Sequence, residues 1–298
     1  HATSPLYNTK SLRLRLRHCA ILIIMATSAL FLIALIYALQ LSAGEAAIEP
    51  ATKQVELKTG AIPFFDIKVA YKLYDVVNPG QPEADRGNPT AIFLHGAKYT
   101  SDFWLKLGTL KLVAESGVRA MAIDLPGFGD TPALPYSDNN MRSELLKTVI
   151  EAAWPKVNST IILISPSMSG RYSLPFLDRH GTMLSSFVAV APIGVTDWGG
   201  PWEDVHRFVC ALGVYGANDK LVPDADRLLR LFQHTWKVVI PGAGHRSYED
   251  KPDVFHNVLI TFMRKCRRTP NSGHEVMSEH GIELVKTLRD AEKAVTAA

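Results

Sequence analysis

One junction restricts the fold of this chain more than any other stretch. Ile161-Ile162-Leu163-Ile164 runs unbroken into Ser165-Pro166-Ser167-Met168-Ser169-Gly170. A continuous apolar, β-branched run predicts a strand covered on both faces, as in a parallel sheet flanked by helices. The small residues behind it predict a sharp turn into a helix, with Ser167 at the apex. A side chain on such a strained turn stands above the sheet with a backbone N–H beside it, the setting a nucleophilic hydroxyl requires. Backbones crowd there, so the positions two before, two after and three after the apex must be small. Ser165, Ser169 and Gly170 comply. The usual pattern is G-x-S-x-G. With serine at both glycine positions, the stretch alone is also compatible with a serine-rich turn that performs no chemistry.

The surrounding pattern supplies a fold for that junction. Strands are expected at 91–95, 119–124, 160–165, 186–191, 209–215 and 236–240, and helices at about 101–115, 141–153, 169–179, 224–232 and 252–266. Phe65, Ile67, Val69, Tyr71 and Leu73 alternate as in one more strand with a single buried face. Asn78 to Pro89 reads as a turn-rich connection. Strands alternating with helices predict an α/β fold with a mainly parallel central sheet covered on both faces.

A serine hydroxyl becomes a nucleophile when a histidine takes its proton and a carboxylate orients that histidine. In this architecture the partners follow in the order Ser, Asp, His. Behind the strand-like run Cys210–Tyr215 comes Gly216-Ala217-Asn218-Asp219; behind Trp236–Ile240 comes Pro241-Gly242-Ala243-Gly244-His245. The reading is Ser167 as nucleophile, His245 as general base and then acid, and Asp219 as orienting carboxylate. Asn-Asp is also ordinary turn chemistry, and Asp197 and Asp224 are rival acids that do not directly follow a strand at the right point. His206, His234 and His256 fall in loop or helix contexts. Oxyanion donors are expected at the backbone N–H groups of Met168 and Ala97, the latter in the loop His95-Gly96-Ala97-Lys98 behind Ala91–Leu94. His95 is expected to prop that loop.

Further residues carry a resemblance. Leu94-His95-Gly96, Trp104, Leu107-Gly108-Thr109-Leu110 and Ala122-Ile123-Asp124-Leu125-Pro126-Gly127-Phe128-Gly129 resemble an α/β-hydrolase. The elbow Ser-Pro-Ser-x-Ser-Gly followed by Tyr172-Ser173-Leu174-Pro175-Phe176-Leu177 resembles the α/β-hydrolase domain-containing protein 14 family. Ala189-Val190-Ala191-Pro192, the Tyr215 to Asp219 loop, and Gly242 to His245 with Lys251-Pro252 fit the same family. The resemblance spans roughly residues 50 to 266. It implies a serine hydrolase, with small-acyl chemistry suggested by the soluble branch, and the amino terminus is similar to that of the membrane-anchored branch.

That terminus has its own physical reading. No charged residue lies between Cys19 and Gly44, and Ala20–Leu41 is apolar and long enough to span a bilayer. Lys10, Arg13, Arg15 and Arg17 precede it, whereas Glu45 and Glu49 follow. The positive-inside rule then predicts a type II signal anchor, with the hydrolase domain lumenal or extracellular. The alternatives are secretion after cleavage near Leu41-Ser42-Ala43, or a cytoplasmic protein. The expected organisation is a cytoplasmic tail 1–18, a transmembrane helix 19–41, a linker 42–54, the α/β-hydrolase domain 55–266 and a tail 267–298. The sequence opens on His1, so its natural start is expected to be missing or processed. Asn158-Ser159-Thr160 is a glycosylation acceptor if the domain is lumenal.

Composition narrows the function further. The net charge is +3, and no basic stripe with interleaved aromatics suggests nucleic acid. No His/Cys cluster has metal-ligand spacing and no glycine-rich phosphate loop is present, so neither metal nor cofactor is expected. Cys210 and Cys266 are candidates to pair in an oxidising lumen. Only Ile193 to Phe208 separates the strand at 186–191 from the next, leaving room for a minimal lid, with Trp198 and Trp202 as possible pocket walls. The expected activity is hydrolysis of short acyl esters or amides, on a small substrate or an acylated carrier, through an acyl-enzyme. The alternative is a non-catalytic, membrane-tethered binding protein that keeps the fold.

Overall fold

The computed structural model describes residues 53–77, 88–153, 160–198, 209–232 and 234–266. The strands are β1 (Val55–Phe64), β2 (Ile67–Val76), β3 (Thr90–Phe93), β4 (Arg119–Ile123), β5 (Ile161–Pro166), β6 (Ser186–Val190), β7 (Cys210–Gly216) and β8 (His234–Ile240). They form one eight-stranded sheet in the order β1-β2-β4-β3-β5-β6-β7-β8. β1 and β2 are antiparallel, β2 joins β4 antiparallel, and every later pairing is parallel. The helices are α1 (Ser101–Lys106), α2 (Thr109–Glu115), α3 (Asn139–Ala153), α4 (Gly170–His180), α5 (Val222–Leu229), the short α6 (Ser247–Asp250) and α7 (Pro252–Lys265).

The continuous apolar runs form the buried centre. Every residue of β3, β4, β5 and β6 is buried. Because side chains alternate across a strand, each run feeds two cores. Ile161 and Leu163 join Leu145, Val149, Phe176 and Leu177 on the face covered by α3 and α4. Ile162 and Ile164 join Trp104, Val113, Val258 and Phe262 on the face covered by α1, α2 and α7. β8, at the outer edge, shows alternation instead, with Trp236, Val238 and Ile240 buried. On the other side, Asp75 is buried between Lys58 Nζ at 3.0 Å and Arg119 Nε at 2.8 Å. Burial alone would raise its pKa, but the two cations outweigh that and hold it below the ordinary 3.8.

Two local expectations are corrected. The helix expected over 101–115 is two helices, because Gly108 adopts φ 76 and turns the chain between them. An L-residue is strained at that angle and glycine is not. Phe65 does not belong to the alternating strand; it is 74% exposed with φ 46, in the turn that joins β1 to β2. The expected tail 1–18, membrane helix 19–41, most of the linker, Asn158, Trp202, His206 and the tail 267–298 lie outside the described residues. Among the described residues, no helix is long and apolar enough to cross a membrane.

Candidate active site

β5 delivers Ser167 to the carboxyl end of the sheet, and the turn Ser167–Ser169 passes straight into α4. Ser167 has φ 49, the strained left-handed conformation that the sequence pattern predicts. Crowding explains the small neighbours. A Cβ on Gly170 would run into the carbonyl oxygen of Ile193, while Ile193 N–H donates to the Ser167 carbonyl at 2.9 Å. The loop behind β6 is thus pressed against the elbow.

The serines that replace the usual glycines are buried and bonded to one another. Ser169 Oγ donates to the Pro166 carbonyl at 2.7 Å. Each hydroxyl has one proton, so in the 3.1 Å contact between Ser165 Oγ and Ser169 Oγ the donor is Ser165. In the 2.7 Å contact between Ser173 Oγ and Ser165 Oγ the donor is then Ser173. Every proton in this chain has an acceptor, which lets polar side chains sit where glycine is customary.

The three residues read from the sequence meet at this end of the sheet. His245 Nδ1 lies 2.8 Å from Asp219 Oδ2, and His245 Nε2 lies 2.8 Å from Ser167 Oγ. An ionised carboxylate only accepts, so Nδ1 carries the proton and Nε2 is left to accept from the serine hydroxyl. The Asp219 side chain is only 4% exposed, and its other oxygen accepts from Leu221 N–H at 3.0 Å. The carboxylate is therefore locked before it meets the ring. Gly244 N–H donates to Asp250 Oδ2 at 2.7 Å and braces the histidine loop. Asn218 N–H bonds the Ala243 carbonyl at 2.9 Å, fastening the aspartate loop to the histidine loop.

The other candidates lie elsewhere. Asp197 is exposed, and Asp224 accepts from Thr196 Oγ1 at 3.0 Å. His256 Nε2 contacts Thr109 Oγ1 at 2.8 Å, and burial lowers its pKa. His95 is buried, with Nδ1 2.9 Å from the Gly96 carbonyl and Nε2 accepting from Leu125 N–H at 3.0 Å. It props the loop, as expected. That loop runs beside the serine: a Cβ on Gly96 would lie 3.7 Å from Ser167 Cβ and 3.4 Å from Tyr248 Oη. Ala97 follows and is exposed; Met168 is half-buried in the elbow.

Two features escaped the sequence reading. Tyr99 Oη donates to Glu249 Oε2 at 2.5 Å, Arg246 donates to Tyr99 Oη at 2.9 Å, and Arg246 also pairs with Glu249 at 2.7 Å. This strap ties the loop behind β3 to the segment behind His245. Asp124, buried, accepts from Ser101 N–H at 2.6 Å and Asp130 N–H at 3.0 Å, organising the loops behind β3 and β4. A cleft of about 700 Å³ opens near it, lined by Gly60, Ile67, Lys68, Lys72, Ser101 and Asp130 among others, and none of Ser167, Asp219 and His245 lines it. Among the described residues, no group of His, Cys, Asp or Glu is arranged to hold a metal.

The sheet order, with a serine on the strand-to-helix turn and an acid and a histidine on later loops, defines the α/β-hydrolase class of serine hydrolases. Solved structures agree on the fold. A predicted CIB-like hydrolase from Thermoplasma acidophilum superimposes with TM-score 0.60 at 21% identity, over 71% of this chain and 100% of the other. A 2-hydroxy-6-oxo-6-phenylhexa-2,4-dienoate hydrolase from a Rhodococcus strain gives 0.55 at 15% identity, over 71% and 100%. No protein-family model matches the chain. Among characterised sequences, zebrafish (Danio rerio) Protein ABHD14A is 40% identical over 178 residues, 58% of this chain and 64% of that protein. The match thus spans just under two thirds of that relative. Rat (Rattus norvegicus) "Putative protein-lysine deacylase ABHD14B" is 34% identical over 214 residues, 71% of this chain and 98% of the relative. Its human counterpart is 36% identical, over 61% and 87%. The chain belongs to the ABHD14 family of α/β-hydrolases.

Proposed function

We propose that this protein removes short acyl groups from esters or amides through an acyl-enzyme on Ser167. The observation that carries the reading is the continuous 2.8 Å hydrogen-bond chain from Ser167 Oγ through His245 to Asp219, with the serine held at φ 49. His245 Nε2 takes the hydroxyl proton as the serine attacks the acyl carbon, and Asp219 stabilises the imidazolium that results. The Met168 and Ala97 N–H groups receive the oxyanion of the tetrahedral intermediate. His245 then returns the proton to the leaving group, and water or another acceptor releases the acyl group. No metal or cofactor is needed for any of these steps. The name of the ABHD14B relatives puts acyl-lysine amides among the substrates to try.

The test is turnover of short-chain esters and acyl-lysine peptides by the wild type beside Ser167→Ala. Turnover that disappears in the variant supports the reading. Equal turnover, or none from the wild type, favours the binding-protein alternative.

We also infer that Ala20–Leu41 anchors the chain as a type II membrane protein, from its uncharged length and the basic residues before it. Resistance of the full chain to alkaline extraction from membranes is the expected result. Release into the soluble fraction overturns it. With the domain lumenal, Asn158 becomes a glycan acceptor, and loss of a glycosidase-sensitive mobility shift in Asn158→Gln is the check.

A further inference from the structure

Three serines lie beneath the nucleophile: Ser165 near the end of β5, Ser169 in the turn and Ser173 in α4. All three are fully buried. Their protons run one way, from Ser173 to Ser165 at 2.7 Å, from Ser165 to Ser169 at 3.1 Å, and from Ser169 to the Pro166 carbonyl at 2.7 Å. That carbonyl belongs to the peptide unit that enters Ser167. A peptide unit is planar, so holding its carbonyl holds the plane from which the Ser167 φ is set. The peptide unit that leaves Ser167 is held as well, because Ile193 N–H donates to the Ser167 carbonyl at 2.9 Å. In a trans unit the N–H points away from the C=O, so the same bond aims the Met168 N–H. Both planes beside the nucleophile are pinned. Its φ of 49 is a strained angle that persists only where the surroundings impose it.

We propose that Ser173 is a positioning residue, acting through Ser165 and Ser169 to hold the Ser167 backbone in its attacking conformation. Its effect on turnover rests on the acyl-enzyme reading given above. Each hydroxyl has a single proton to give. The Ser173 proton occupies Ser165 Oγ and leaves the Ser165 proton for Ser169. Ser169 then accepts on one side and donates to the Pro166 carbonyl on the other. Without the Ser173 proton the direction of the chain is no longer set. Ser169 can turn its proton toward Ser165, and the Pro166 carbonyl is released. The peptide plane that enters Ser167 is then held by packing alone. Ser173 thus governs, from within α4, a bond made on the peptide next to the nucleophile. A glycine at position 165 or 169 would have no hydroxyl to relay this control.

The experiment is a mutant cycle on the full chain, read by short-chain ester kinetics and by urea midpoints. Ser173→Ala should lower kcat about three- to tenfold with KM unchanged, the effect of one hydrogen bond lost from the support of the reacting group. Ser173→Cys, whose thiol is still a weak donor, should recover part of that loss. In a Ser169→Ala background, Ser173→Ala should lower kcat no further, because the chain no longer reaches the Pro166 carbonyl. Ser165→Ala serves as the background if Ser169→Ala does not fold. An unchanged kcat in Ser173→Ala, a rise in KM alone, or an equal loss of kcat in both backgrounds overturns the proposal. The urea midpoints read the same coupling without catalysis: non-additive shifts support it and additive shifts overturn it. Absence of turnover from the wild type defeats the acyl-enzyme reading instead, and the midpoints then decide whether the three hydroxyls act as one unit.

Discussion

His95 and His245 each follow a β-strand on a glycine-bearing loop, and the chain uses their rings in opposite ways. His95 is 1% exposed, and both nitrogens are occupied by backbone groups, of Gly96 and Leu125. Leu125 N–H fixes Nε2 as an acceptor, so the proton resides on Nδ1 and the ring is neutral. The ring meets Phe128 in a T-shaped contact, centroids 5.1 Å apart. His245 has a side chain 39% exposed, and both nitrogens meet side chains, Asp219 on one side and Ser167 on the other. A ring bonded to backbone on both sides acts as a strut. A ring between a carboxylate and a hydroxyl, open to solvent, can accept a proton and give it back. Residue type is shared, so burial and partners separate the two roles.

The comparison breaks if the two histidines respond alike to substitution. His245→Ala should lower ester turnover on the order of 10⁴- to 10⁶-fold, with melting nearly unchanged. Asp219→Asn should lower it by about 10⁴-fold in kcat, because the amide no longer holds the required tautomer. His95→Ala should act on stability instead. It strands the Leu125 N–H in a buried site, a cost of about 1–3 kcal/mol read as a lower urea midpoint.

Titration sharpens the contrast. Burial holds the His95 pKa below the ordinary 6.5, against the opposing pull of the Gly96 carbonyl and Asp124. As pH falls through 6.5 the unfolded chain binds the proton first, so the stabilisation is full above that pH and declines toward the lower folded value. His256 is shifted the same way by burial. Urea midpoints measured between pH 5 and 7.5 should therefore fall with acid, and His95→Ala should flatten part of that slope. The smallest effect is expected from Tyr99→Phe, which breaks the strap beside Ser167. Its network is partly exposed, so turnover should drop by less than about tenfold.

What was legible in the sequence follows from burial. β5 and its neighbours are covered on both faces, so their continuous apolar runs announce them. Ser167 and Asp219 follow such strands and His245 follows the alternating run of β8, which is why their positions could be read. β1 was missed because it stands at the sheet edge, mostly exposed, and carries Gly60 and Pro63. Its order comes from antiparallel pairing with β2, which leaves no apolar pattern, and an edge strand tolerates proline. The strap from Tyr99 to Glu249 joins residues 150 positions apart and has no local signature. The serine chain beneath the elbow was visible only as a run of small residues. Ser173 completes it from the next turn of α4, and that role depends on a hydrogen bond rather than on size.

The strand order also sets a timetable. β5, β6, β7 and β8 are laid side by side in the order in which a ribosome delivers them. Ser167 emerges with the central strand, but His245 comes 78 residues later, behind the outermost one. At about 5–20 residues per second, that gap lasts about 4 to 16 s. On the proposed mechanism, a chain released early, before β8, would carry Ser167 and Asp219 with no base between them. Premature termination before β8 therefore yields an inert fragment rather than a crippled enzyme, and the nascent protein meets its surroundings unarmed until the outermost strand has been made.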